Sequence, residues 1–113
     1  MSVTKKIPQP GRPPGFVYLR GGEKSRSAAT STLHCEQISG ANLAERFGTP
    51  LYVYSETAIR ERCTTFDRAF GGIAHTVCYS VKANSNLSIL KLLAKAGCGF
   101  DVVSGGELER VLL

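Results

Sequence analysis

Apolar and polar positions along this chain repeat at two different periods, and the change-overs between them mark its elements. Phe16-Val17-Tyr18-Leu19 predicts a short strand, and Thr32 to Ile38 predicts a second, weaker one. Asn42 to Phe47 has helical spacing and is closed by Gly48, with Pro50 barring continuation. Leu51-Tyr52-Val53-Tyr54 then reads as a strand. Ser55 suits the start of a helix that runs to Gly71-Gly72, in which Ile59, Cys63, Phe66 and Phe70 form one apolar face expected to be core.

The longest apolar run is Thr76-Val77-Cys78-Tyr79-Ser80-Val81-Lys82-Ala83-Asn84. It predicts a buried parallel strand feeding a helix that Asn86 caps and Gly97 stops, with Leu87, Leu90, Leu93 and Ala94 turned inward. Phe100 to Ser104 predicts the next strand, and Ser104 the cap of a helix from Glu107. Strand, helix, strand, helix at this spacing is a βαβ unit, so the two strands are expected to be parallel and adjacent. The fold class is α/β.

Alternation along the long strand puts Thr76, Cys78, Ser80 and Lys82 on one face, and Val77, Tyr79 and Val81 on the face that packs on helices. Lys82 stands at the carboxyl end, where open α/β sheets and (β/α)₈ barrels both place ligands and chemistry. A lysine turned into an interior is costly as an ammonium, and bonding to an aldehyde cofactor relieves that cost. On the next strand, Asp101 and Val103 share a face. If that face is the one Lys82 uses, the carboxylate of Asp101 can pair with the lysine or orient a cofactor.

Composition narrows the partners. The formal charge of +5 resides wholly in residues 1–30, where Lys5, Lys6, Arg12, Arg20, Lys24 and Arg26 face Glu23 alone; the remainder has eight basic and eight acidic residues. With no aromatic interleaving, this is a solvated leader, and neither nucleic acid nor a membrane is expected as a partner. The proline-rich start to Gly15 is expected to be an extended, disordered tail, and Gly21 to Ser31 a polar loop. Cys35, Cys63, Cys78 and Cys98 form no C-x-x-C pair, which points to reduced thiols, no metal site and a cytoplasmic protein. Residues 1–31 thus read as a leader with one short strand, 32–54 as strands with a short helix, and 55–113 as the α/β body. Glu107 to Leu113 keeps helical period with no stop signal, so the chain is expected to be an N-terminal piece.

Three blocks in order, F-G-T-P-L-Y-V-Y (47–54), Y-S-V-K-A-N-S-N (79–86) and G-F-D-V-V-S-G-G-E-L (99–108), resemble the diaminopimelate decarboxylases. These are fold-type III, alanine-racemase-like enzymes that use pyridoxal 5'-phosphate. Alanine racemases usually continue the lysine motif as V-K-A-N-A-Y-G, whereas this chain has Ser85-Asn86-Leu87. Ornithine decarboxylases usually read A-V-K-C-N and lack V-S-G-G-E-L.

The resemblance implies the first βα units of a (β/α)₈ barrel, a fold that needs roughly 200 residues or more. It implies opening strands that join a carboxyl-terminal β-domain, and a homodimer when full length. Lys82 would carry the cofactor as a Schiff base, with Asp101 and Asn84 as further cofactor-binding candidates and a turn as the first role of Asn84. The implied reaction is decarboxylation of meso-2,6-diaminopimelate to L-lysine, the last step of lysine biosynthesis, with this portion inactive alone. Other type III decarboxylases acting on ornithine, arginine or carboxynorspermidine, and a non-catalytic barrel that holds the cofactor, are the competing readings. His34 and His75 are expected to be structural or solvated.

Overall fold

The computed structural model describes residues 11–20 and 31–113. The first ten residues of the expected disordered start, the loop after Arg20 and most of the basic leader lie outside the described residues. The chain divides into two compact units, one ending at Thr57 and one from Ala58 to Leu113.

In the first unit β1 (Phe16–Arg20), β2 (Ser31–Cys35) and β3 (Ile38–Ser39) form an antiparallel sheet in that order. β1 and β2 pair from Phe16↔Cys35 to Arg20↔Ser31. The expected single strand from Thr32 to Ile38 is instead two strands. Glu36, at φ 53°, turns the chain with Gln37, so that Cys35 pairs with Ile38. Ser39 then caps α1 (Gly40–Phe47), its hydroxyl accepting the Asn42 amide at 3.1 Å. Gly48, at φ 80°, closes the helix by donating to the Ala44 carbonyl at 2.8 Å.

Leu51 to Tyr54 is not a strand: it has no ladder partner among the described residues, and Tyr52 is 86% exposed. An apolar alternating run becomes a strand only where another backbone takes up its N–H and C=O groups.

α2 (Glu56–Ala69) begins after Ser55, as its sequence predicts. Oε1 of Glu36 accepts both the Ser55 hydroxyl, at 2.7 Å, and the Thr57 amide, at 2.9 Å. A carboxylate from a hairpin turn thereby satisfies a donor in the first turn of the helix, where the helix dipole favours negative charge. Those two bonds, the amide first, hold the Glu36 carboxyl below its ordinary range.

The second unit is built on the expected βαβ. β4 (Cys78–Ser80) and β5 (Gly99–Asp101) are parallel, in register Cys78↔Gly99, Tyr79↔Phe100 and Ser80↔Asp101. α3 (Leu87–Lys95) lies between them in sequence. Asn86 caps it, accepting from the Ser88 amide at 2.9 Å. At its end Gly97, at φ 84°, donates to Ala94 at 3.0 Å while Cys98 donates to Leu93 at 3.1 Å. This paired closure needs a residue free to adopt positive φ, which is why glycine stands there.

Ile89, Leu93 and Cys98 form the core, with Ile59, Cys63, Val77, Tyr79 and Phe100 packed on it. Two expected core assignments are corrected. Phe66 and Phe70 are exposed, and so are Leu87 and Ala94, while Ile89 is buried beside Leu90 and Leu93. The chain after α2 turns back: His75 stacks on Phe70 at 5.3 Å between ring centroids, meets Asp67 at 3.2 Å and the Ile73 carbonyl at 2.8 Å. Of the two roles expected of it, structural or solvated, these contacts are those of a structural one.

α4 (Gly105–Leu112) starts at Ser104, whose hydroxyl accepts the Glu107 amide at 3.2 Å while Glu107 accepts the Val103 amide at 2.8 Å. The two groups satisfy each other's end of the turn, as in a capping box.

Candidate functional site

Lys82 does not lie on a strand. The ladder ends at Ser80, and Val81–Ala83 form one 3₁₀ turn, so the strand alternation expected through Lys82 stops two residues short of it. Val81, wholly buried at 0% exposure, turns inward, while Lys82 is exposed. The expected burial of this lysine among apolar neighbours is therefore not met. Its place at the carboxyl end of a parallel strand is.

The turn is fixed at both ends. The Tyr79 hydroxyl donates to the Asn84 carbonyl at 3.2 Å, while Asn84 Oδ1 accepts the Asn86 amide at 3.0 Å. Tyr79 is thus on the helix-packed face that its parity predicts, and Asn84 performs the turn role expected of it. Arg110 adds a longer contact, Nη1 to the Ser85 carbonyl at 3.4 Å. That contact spans twenty-five positions, which no local sequence pattern encodes.

Asp101 is exposed and sits opposite Ser80 in the parallel register. No hydrogen bond or ion pair joins Lys82 to Asp101, and neither side chain has another such partner among the described residues. Beside them the Ser80 hydroxyl is buried without a hydrogen-bond partner. The described surface groove, about 430 Å³ and lined by α3 and α4 residues such as Leu87, Leu90 and Val111, contains none of these groups.

A primary amine exposed, unpaired and held on a short braced turn is the group that an aldehyde captures. An aldehyde cofactor therefore fits the residues present. No group of three or more His, Cys, Asp or Glu side chains among the described residues is placed to hold a metal ion. All four cysteines are free thiols, with Cys35 and Cys98 buried, Cys63 partly so, and Cys78 exposed.

The comparison with known proteins decides which aldehyde. Residues 56–113 match the family model of the pyridoxal-dependent decarboxylase, pyridoxal binding domain. The chain belongs to the pyridoxal-dependent decarboxylases.

The relatives are diaminopimelate decarboxylases, as the three sequence blocks predict. That of Neisseria meningitidis serogroup A is 58% identical over 81 residues, covering 72% of this chain and 20% of its own. That of Pseudomonas fluorescens is 53% identical over 97 residues, covering 86% and 21%. The crystal structure of diaminopimelate decarboxylase from M. jannaschii in complex with L-lysine superposes with a TM-score of 0.62 at 44% identity, over 72% of this chain and 20% of that one. The chain spans about a fifth of the length of these relatives. As a pyridoxal-dependent decarboxylase segment its cofactor is pyridoxal phosphate, in agreement with the sequence reading.

Proposed function

We propose that this chain is the cofactor-anchoring segment of a diaminopimelate decarboxylase, which removes one carboxylate of meso-2,6-diaminopimelate as carbon dioxide and leaves L-lysine. The observation that carries this is Lys82: an unpaired amine on a braced turn, at the end of a parallel strand, inside the family match. When bound, the pyridoxal group supplies an electron sink for the pair left behind by the departing carboxylate.

The chain's own residues do the positioning. Lys82 would hold the pyridoxal group through Nζ, which must be unprotonated to do so, and the Tyr79 and Asn84 hydrogen bonds brace the turn that presents it. Asp101, one strand over, offers a carboxylate to orient the lysine or the group it holds. Asn84 spends its side-chain oxygen on Asn86, which leaves Nδ2 as its donor toward the cofactor.

β4 and β5 are in this reading neighbouring strands of a (β/α)₈ barrel, with Cys78, Ser80 and Asp101 on its inner face. The protein is cytoplasmic and acts as a homodimer when the barrel is complete. No helix among the described residues is long and apolar enough to cross a membrane. The chain by itself is expected to hold cofactor without turnover.

Replacing the matching segment of the N. meningitidis enzyme with this chain tests the proposal. Lysine formation from diaminopimelate should survive the exchange and vanish with Lys82→Ala. Full activity with Lys82→Ala would overturn it.

A further inference from the structure

Beside the exposed Lys82 and Asp101 lies one polar group that is buried and unpartnered. Ser80 Oγ is buried and has no hydrogen-bond partner. Its neighbours in sequence are in different circumstances: Tyr79 packs on the core, and Val81, the first residue of the turn, is wholly buried. Val77, Tyr79 and Phe100 all pack on the cluster of Ile89, Leu93 and Cys98, so strand alternation puts Cys78, Ser80, Gly99 and Asp101 on the opposite face of the β4–β5 pair. A Cβ placed on Gly99 would lie 3.0 Å from Cys78 Sγ, consistent with a shared face. Ser80 therefore stands opposite Asp101 and two residues before the lysine, on the face turned away from the helices.

A buried hydroxyl is almost always partnered, and an orphan is costly because it has lost water and gained nothing. A serine at such a place is explained by a partner that arrives with a ligand. The ligand that this strand end is built to take is the one Lys82 captures.

We propose that the Ser80 hydroxyl is a further contact of the pyridoxal group, donating a hydrogen bond to an oxygen of it once Lys82 holds it. This rests on the reading of Lys82 given above. Ser80 has no part in bond making; it adds affinity and fixes the orientation of the bound group.

The test uses the full chain with pyridoxal 5'-phosphate. Affinity is read from the absorbance of the covalent adduct, and the attachment point from borohydride reduction and peptide mass mapping. Ser80→Ala should weaken binding about tenfold, a difference of about 1.4 kcal/mol, with reduction still labelling Lys82. Ser80→Thr, which keeps the hydroxyl, should bind within about threefold of the native chain. A serine with no ligand contact predicts unchanged affinity, because removing an unpartnered buried hydroxyl is neutral or stabilising for the fold. Equal affinity of Ser80→Ala with Lys82 labelled would overturn the role of Ser80 and leave that of Lys82 standing. Labelling at another residue in the native chain would remove both.

Discussion

The hydroxyl of Tyr79 donates to the carbonyl of Asn84 at 3.2 Å, closing the chain around the turn that presents Lys82. The same tyrosine packs on the core of Ile89, Leu93 and Cys98, so the position of the lysine is referred to the rigid part of its unit. Tyr79→Phe keeps the packing and removes the bond. It should cost about 1 kcal/mol in holding the turn, read as a loss of about fivefold in pyridoxal phosphate affinity with the core's thermal midpoint little changed. Unchanged affinity would show that the turn holds its shape without the bond.

A second prediction concerns acid. Glu36 is held below the ordinary glutamate range, first by the Thr57 amide and then by the Ser55 hydroxyl. A carboxyl whose folded value is depressed contributes stability above its unfolded value and loses that contribution as pH falls through the folded one. The native chain should therefore be more stable than Glu36→Gln at neutral pH, and the gap should close as acid carries the solution below the ordinary carboxylate range. Denaturation of both chains across pH measures it, and the Thr57 amide resonance should titrate with the same midpoint. A gap that does not change with pH would contradict it.

Thiol reactivity gives a third. Burial first, and then the hydrogen bond and charge of Cys63, push Cys98 up to about 11, whereas Cys78 is exposed on β4. Because the thiolate is the reacting form, iodoacetamide at pH 8 should label Cys78 at least about tenfold faster than Cys98. Cys35, raised by burial and by neighbouring Glu36, should also react slowly. Mass mapping of partially labelled chain reads the order directly. Equal rates at Cys78 and Cys98 would mean that the core around Ile89 and Leu93 opens readily.

What the sequence made legible was local. Asn86, Gly97 and Ser104 each act within a few residues of themselves, so their capping roles follow from residue type and position. The parallel pairing of β4 with β5 follows from the intervening helix, which gives the chain length enough to cross over. What failed depended on partners elsewhere. The strand expected through Lys82 stops at Ser80, where the ladder with β5 ends, and Leu51 to Tyr54 finds no ladder among the described residues. The Glu36 carboxylate meets Ser55 across nineteen positions, a distance no local pattern encodes.

At the site the same division holds. Lys82 was found from its place after an apolar run, and Asn84 from the turn chemistry of its type. The exposure of the lysine and the orphan hydroxyl of Ser80 depend on where the turn begins, which only the fold fixes.

The central claim is that Lys82, alone of the six lysines in the chain, is the amine that captures pyridoxal phosphate. Incubating the full chain with pyridoxal phosphate, reducing with borohydride and mapping the peptides tests that claim most directly. The account predicts the added mass on the peptide containing Lys82, and its loss with Lys82→Ala. Label spread over Lys91, Lys95 and the leader lysines with Lys82 unmodified would contradict it.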